Sequence, residues 1–449
     1  MIVMKFGGTS VESAEAIHRV AGIVRARLGR HPVVVVSAMG KTTNKLLAIA
    51  GAAVKGDRAG ALAQLDDLRQ FHFREAAGLG VDAAIETDFE ELAELVKGLA
   101  VMGELTPRAT DAISAYGERV SSVVVAAQFN KCGISSVRVD SRSVIVTDER
   151  HTQAAPLFQQ TNARLRAAIP ALAREKVVVM GGFIASTEKG VTSTLGRGGS
   201  DYTASIVGAG IGAEEIQIWT DVDGMLTADP TILAGGHRVK ICSFAEAAEL
   251  AYFGAKVLHP ATVLPAIEKN IPVRILNSHR PEVEGTLIVS DPPPSTTPIR
   301  SIACKKNITL VNIVSTRMLM AHGFLRRIFE VFDRYETSVD MLATSEVSVS
   351  LTIDNTGSLG TIREELESFA EVTIEEGQAI VCLVGENLRR SPDAAARAFA
   401  ALDGIKPHMV SQGASELNIS IVVPAADLAR AVESLHREFF SDPDPAAFA

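Results

Sequence analysis

The chain has 449 residues, of which 47% are hydrophobic and 22% charged, with a formal net charge of −9. That length allows more than one domain and a large core. The acidic balance argues against nucleic acid or an anionic membrane as partner, while leaving room for a local basic pocket. No apolar run reaches the length of a bilayer span. The N-terminus has no basic stretch followed by an apolar one, so no secretion signal is expected. Cys132, Cys242, Cys304 and Cys382 lie far apart without metal-ligand spacing. They read as reduced thiols of a cytoplasmic protein.

The chain opens MIVMKFGGTS. Residues 2–4 predict a buried strand, with Lys5 at its end, followed by Gly7 and Gly8 and a helical pattern over 11–27. A strand, a glycine turn and a helix N-terminus make an anion site, because bare backbone N–H groups can approach phosphate oxygens. On Gly-Gly alone a tight turn with no ligand is the better reading, since neither the GxxxxGK[ST] nor the GxGxxG spacing is present; the matching loops at other strand ends favour the anion site. Further strands are expected at 33–36, 137–140, 177–180, 216–219 and 272–276, with helices between them, as over 59–76 and 113–129. This alternation predicts an α/β fold, a three-layer α/β/α sandwich around a mainly parallel sheet. Ligands gather at the carboxyl ends of such strands. The Gly-, Ser- and Thr-rich segments 7–10, 37–44, 181–201 and 220–224 fall there.

Asp111, Ser114, Glu118 and Ser122 recur at helical spacing. Spacing alone puts Glu118 on a solvated face; the competing reading makes it the receiver of a substrate ammonium. In GRGGSD at 196–201, Ser200 or Asp201 can cap the next helix. Arg197 between glycines suits a bidentate carboxylate clamp, the alternative being a surface hairpin. Asp221 and Asp223 bracket a turn ending in Gly224, which fits a metal or an ordinary Asp-Gly turn. Thr220 and Asp221 at a strand end also suit a ribose or base. Lys256 can neutralise phosphate or sit on a helix surface. His259 precedes a proline and is given no role.

Residues 291–298, DPPPSTTP, cannot continue a helix or central strand and read as a linker. Beyond it the pattern changes. Strand 308–314, helix 323–335, strands 339–343 and 346–353, helix 361–368 and strand 372–375 give β-α-β-β-α-β, a ferredoxin-like α+β unit. A second round follows with strand 379–384, helix 393–402, strands 406–410 and 417–423, and helix 426–438. Its tail is no strand, so segment 299–304 is expected to cross over and complete it.

Taken in order, KFGGTS at 5–10, SAMGKTTN at 37–44, GER at 117–119, GGFI at 181–184, TLGRGGSD at 194–201, WTDVDG at 219–224 and FGAKVLHP at 253–260 resemble the aspartate kinases of the amino-acid kinase superfamily. The resemblance covers nearly the whole chain, and the tandem C-terminal units resemble ACT domains. MLMAHGFL…SVDMLATSEVSVSLTID within 318–354 resembles the lysine-sensitive, single-function subgroup.

The resemblance implies an amino-acid kinase fold over 1–290, the linker 291–298, and a regulatory region 299–449. Its first ACT unit spans about 306–377, and its second about 378–449 with strand 299–304. It implies transfer of phosphate from ATP to L-aspartate with Mg²⁺, giving ADP and 4-phospho-L-aspartate. That is the first step toward lysine, threonine and methionine, with feedback inhibition by lysine.

By the same resemblance Lys5, Arg197 and Asp201 are catalytic, and Ser37, Thr43, Glu118, Phe183, Arg197 and Ser200 hold aspartate. Lys5, Gly7, Gly8, Thr220, Asp221 and Lys256 hold ATP, with the two glycines as backbone donors. The candidate effector residues are Met318, Phe324, Leu325, Ser338, Val339, Asp340, Thr344 and Glu346. Phe324 and Leu325 follow Gly323 at a helix start that could take a carboxylate, and Asp340 and Glu346, read as lying on adjacent strand ends, attract an ammonium or are merely exposed charges. No resident metal site is implied. A homodimer or tetramer through the ACT units is implied. Leu226, Thr231 and Ala321 stand where the subgroup often has tyrosine, arginine and serine. The first two bear on ATP binding and the third on lysine sensitivity. An aspartate carboxylate, with a reference pKa of about 3.9, attacks already ionised and needs no general base. Catalysis then rests on alignment and charge neutralisation. The alternatives are a sister kinase acting on acetylglutamate or glutamate, and a non-catalytic amino-acid sensor.

Overall fold

The computed structural model describes residues 1–254, 260–315, 322–386, 388, 392–413 and 415–449. Lys256, His259, Met318 and Ala321 lie outside the described residues. No helix among the described residues is long and apolar enough to cross a membrane. The chain forms two compact units, Met1–Met225 with Val257–Pro292, and Leu226–Lys256 with Pro293–Ala449. In this division segment 226–256 groups with the second unit, while the sequence reading sets it within residues 1–290.

The sheet of the first unit uses β1 (Ile2–Phe6), β2 (Pro32–Val36), β3 (Ser136–Val139), β4 (Val177–Gly181), β5 (Glu215–Thr220), β6 (Val273–Asn277) and β7 (Thr286–Val289). They run in the order β3-β4-β2-β1-β5-β6-β7. All neighbours are parallel except β6 and β7. Every residue of β1 and β2 is buried. That is why PVVVV reads as an unbroken apolar run: a parallel sheet is covered on both faces. Trp219 stacks on Phe6 with centroids 5.8 Å apart and is fully buried. The expected helix over 113–129 is two, Pro107–Ser114 and Tyr116–Lys131, broken at Ala115.

Register places the site. Phe6 lies opposite Val36 and Trp219, and Val36 lies opposite Gly181. Because these strands are parallel, the loops that leave them at Gly7, Ser37, Gly182 and Asp221 emerge at one level on one edge.

The second unit holds a six-stranded antiparallel sheet. Its strands are β8 (Ser301–Val314), β9 (Leu342–Thr344), β10 (Ser348–Ile353), β11 (Glu371–Val384), β12 (Met409–Gln412) and β13 (Asn418–Pro424), ordered β9-β10-β8-β11-β13-β12. The four strand segments read separately at 299–304, 308–314, 372–375 and 379–384 are two strands of 14 residues each. Ser301–Lys305 pairs with Ile380–Val384, and Leu310–Val314 with Glu371–Glu375. The register shifts between Lys305 and Leu310. There Asn307 and Gly377 adopt left-handed φ of 59° and 69°. An irregularity of this kind bends a strand without ending it, so sequence alone shows two short strands. The linker is pinned: Asp444 Oδ2 accepts from Ser295 Oγ and Thr296 N, both at 3.0 Å.

Candidate active site

Ten residues line a cavity of about 220 Å³ at the edge fixed by register. They are Lys5, Ser37, Thr43, Glu118, Phe183, Gly196, Gly198, Gly199, Ser200 and Asp201. Every aspartate-holding residue implied by the sequence is among them except Arg197. That side chain is exposed and makes no hydrogen bond or ion pair among the described residues.

Lys5 is not at the strand end. β1 continues to Phe6 because Lys5 and Phe6 still pair with Val35 and Ile218, and with Val36 and Trp219. The Lys5 side chain, 11% exposed, brings Nζ to 2.7 Å from Asp201 Oδ1. The contact is an ion pair without hydrogen-bond alignment, which leaves that Asp201 oxygen formally unpaired. Asp201 sits in the first turn of helix Gly199–Ile211. The expected side-chain cap is absent: the N-cap is Gly198 at φ 71°, and neither Ser200 nor Asp201 caps. The first-turn N–H groups of Ser200 and Asp201 have no partner among the described residues, and such a terminus attracts anions.

The Gly-Gly turn divides its work. Gly7 N donates to Trp219 O at 3.1 Å, so it is spent on the fold rather than offered to a phosphate as expected. The N–H groups of Gly8 and Thr9 have no partner among the described residues. A Cβ on Gly8 would fall 2.9 Å from Gly40 O and 3.0 Å from Ala38 O, both backbone. Gly8→Ala is therefore expected to push the 7–10 and 37–40 loops apart. The variant should lose at least tenfold in kcat/KM for ATP and about 1–3 kcal/mol of stability, measured by initial rates and urea unfolding.

Glu118 is 4% exposed, which excludes the solvated-face reading. Gly117 lets its helix press onto the second loop: a Cβ there would lie 2.7 Å from Ala38 Cβ. Ala38 N consequently donates to Glu118 Oε1 at 3.1 Å, while Oε2 is buried without a hydrogen-bond partner among the described residues. Burial pushes this carboxyl up to about 8, against the pull of the Ala38 N–H and the Lys5 charge. An unsatisfied buried carboxylate oxygen is costly and favours an incoming cation.

Phe183 holds a left-handed φ of 64°. Its N–H donates to Thr203 Oγ1 at 2.9 Å and its carbonyl accepts from Leu195 N at 3.0 Å. Strain in a non-glycine residue at such a place is a common mark of a ligand-shaping position.

Thr220 ends β5 and Asp221 follows it. Thr220 O accepts from Ser278 N at 2.8 Å, and Asp221 is exposed. Asp223 is committed to Asn277 Nδ2 at 2.7 Å and to Arg280, so it stabilises the turn. No group of three or more His, Cys, Asp or Glu gathers into a cation site among the described residues. Leu226 and Thr231 belong to the second unit.

The sequence-predicted effector residues are not all brought together within one chain. Phe324 and Leu325 do start helix Phe324–Arg334 after Gly323, and Phe324 packs edge-on against Phe369. Ser338, Thr344 and Glu346 are exposed, and Val339 packs on the core. Asp340 and Glu346 lie at opposite ends of β9, not on adjacent strand ends: Asp340 N donates to Thr352 O, whereas Glu346 is in the turn after Thr344. At about 3.3 Å per residue this separates them by roughly 15 Å. Asp340 already holds a cation. Lys305 Nζ lies 2.6 Å from Asp340 Oδ1 and 2.8 Å from Asp354 Oδ2. Burial raises the Asp340 pKa, opposed by Lys305, and its Oδ2 has no hydrogen-bond partner among the described residues.

Residues 1–277 match the amino acid kinase family, and residues 381–439 match an ACT domain. Aspartokinase 1, chloroplastic, of Arabidopsis thaliana is 41% identical over 98% of this chain and 80% of its own length. The lysine-sensitive aspartokinase 3 of Escherichia coli strain K12 is 37% identical over 98% of this chain and 99% of its own length. Crystal structures of E. coli aspartokinase III superpose at 35% identity, covering 98% of this chain and 100% of theirs. The TM-score is 0.85 for the complex with lysine and aspartate and 0.81 for the complex with aspartate and ADP. Matched over residues 1–277 by the family and over nearly its whole length by these relatives, the chain belongs to the amino acid kinase family and, within it, to the aspartokinases.

Proposed function

We propose that the cavity binds L-aspartate with its ammonium on Glu118 and presents the β-carboxylate, beside Lys5, to the γ-phosphoryl group of ATP. The observation that carries this reading is the orphaned Glu118 Oε2 in the wall of the same cavity as the Lys5–Asp201 pair. Glu118 selects an amino acid over a plain diacid. Arg197, exposed at the loop and without a partner among the described residues, clamps the α-carboxylate. Lys5 neutralises charge between two anions that must meet, and Asp201 holds its ammonium in place. The free N–H groups of Gly8, Thr9, Ser200 and Asp201 receive phosphate oxygens. Thr220 and Asp221 hold the nucleoside. Lys256 is assigned to the phosphates by resemblance alone. Mg²⁺ suits this site as an ion held mainly by phosphate oxygens, since it keeps several waters and needs only one or two carboxylates.

ATP- and Mg²⁺-dependent phosphorylation of L-aspartate, trapped as the hydroxamate, tests the reaction. Turnover with acetylglutamate or glutamate but not aspartate would overturn it, and no ATP turnover at all would favour a sensor.

We read the C-terminal units as the lysine-responsive part of a cytoplasmic enzyme that assembles as a homodimer or tetramer. Exposed Leu325, Phe329, Leu342 and Val347 offer apolar surface for a second copy. An effector ammonium on Asp340 would meet the Lys305 ammonium already there. Asp340→Asn is therefore expected to raise the lysine concentration for half-inhibition at least tenfold. Lys305→Met should lower it several-fold, because it leaves two carboxylates without their cation. Unchanged inhibition curves in both variants would remove Asp340 from the effector site.

A further inference from the structure

We propose that Asp111 is a positioning residue for aspartate binding: its carboxylate sets the loop that carries Arg197 and walls the cavity. Asp111 lies in helix Pro107–Ser114 and is fully buried. Its Oδ2 accepts from His151 Nδ1 at 2.7 Å, and its Oδ1 accepts from Thr152 N at 3.0 Å and Thr194 Oγ1 at 2.5 Å. One carboxylate thus ties together two segments that are distant in sequence. Ala154 N donates to Thr194 O at 3.0 Å, repeating the tie through the backbone.

The segments it joins lead directly into the site. Thr194 ends the strand Thr192–Thr194, and Leu195 to Asp201 follow. Thr152 holds a left-handed φ of 71°, a costly conformation for a β-branched residue, and its N–H is fixed on Asp111. A Cβ on Gly196 would lie 3.1 Å from Thr152 O, so the strained carbonyl buttresses the loop there. On the other flank Leu195 N donates to Phe183 O, and Phe183 is itself left-handed. Two strained residues therefore hold the start of the loop, and Asp111 keeps one of them in place. A fully buried carboxylate is retained only where several donors offset its desolvation. Here the donors it collects belong to the supports of the substrate loop.

This inference rests on the cavity being the aspartate site, so Glu118→Ala is assayed alongside. Asp111→Asn keeps the side-chain volume but turns an NH₂ toward a donor. Thr194→Val removes only the hydroxyl. With the full chain, Asp111→Asn is expected to raise KM for aspartate about tenfold or more, leaving KM for ATP unchanged and kcat within a few-fold. Thr194→Val should raise KM for aspartate about three- to tenfold. The double variant should be less than additive, because both changes break one network. Lowered thermal stability with KM for aspartate unchanged in both single variants would make Asp111 merely structural and overturn the proposal. If Asp111→Asn does not fold, Thr194→Val decides alone. If Glu118→Ala also leaves KM for aspartate unchanged, the aspartate-site reading itself has failed.

Discussion

Lys5→Ala lowers kcat by about 10²–10³, the cost of removing one pre-placed electrostatic donor and equivalent to about 2.7–4 kcal/mol of transition-state stabilisation. KM for aspartate is expected to change little, because the proposed ammonium contact at Glu118 is untouched. The effect is large because Lys5 is held, not waving: its ammonium lies against Asp201 with the side chain 11% exposed. No reorganisation is then needed as charge builds on the transferring group. The variant also leaves Asp201 without its cation, so Lys5→Arg separates charge from geometry. If charge alone matters, arginine restores most of kcat. If the 2.7 Å placement matters, it does not. Single-turnover phosphoryl transfer to aspartate measures this without interference from product release, and undiminished turnover in Lys5→Ala would remove Lys5 from the mechanism.

Glu118→Gln gives two opposite effects. Aspartate binding weakens about 10- to 100-fold, since a hydrogen bond to a charged partner contributes about 1.5–3 kcal/mol. Stability of the ligand-free protein rises at alkaline pH. The carboxyl titrates at about 8 in the folded chain against an ordinary value of 4.5. Between those values the folded chain holds a proton that the unfolded chain has released. The stability this contributes is complete below 4.5 and is lost as pH rises through 8. Glutamine cannot ionise, so that loss disappears in the variant. Thermal unfolding from pH 5 to 9 should show the wild type falling toward the alkaline end and Glu118→Gln nearly flat in comparison. Parallel curves would mean that burial does not raise the Glu118 pKa, whereas unchanged aspartate binding in Glu118→Gln would remove Glu118 from the ammonium site. The conflict between stability and binding at one residue is typical of a site built to receive a charge.

Several features were legible because local chemistry forces them. The valine run of β2 and the buried β1 follow from a sheet covered on both faces, and the β–α alternation fixes that the strands are parallel. Parallel strands put Gly7, Ser37, Gly182 and Asp221 on one edge whatever the details of packing. The ordered motifs carried the family. Less local facts were hidden. Spacing alone put Glu118 on a solvated face, because helical periodicity does not say which polar stripe is covered. Gly117 against Ala38 covers it. Asp111 belonged to the same stripe, and nothing in the sequence announces that His151, Thr152 and Thr194, 40 to 83 residues away, supply its partners.

By itself, then, the sequence determined the strand–helix rhythm, the edge on which the loops collect, and the aspartokinase family. Those follow from period, from turn residues and from motif order, all short-range properties. Tertiary structure alone decided which glycine N–H stays free, since Gly7 is claimed by Trp219 across the sheet. It also decided that four short strand segments are two long strands joined through Asn307 and Gly377. And it decided that Asp340 and Glu346 face away to opposite ends of β9, with Lys305 already on Asp340. Each of these depends on which distant backbone or charge is nearest in space, and that distance is set by packing rather than by position along the chain.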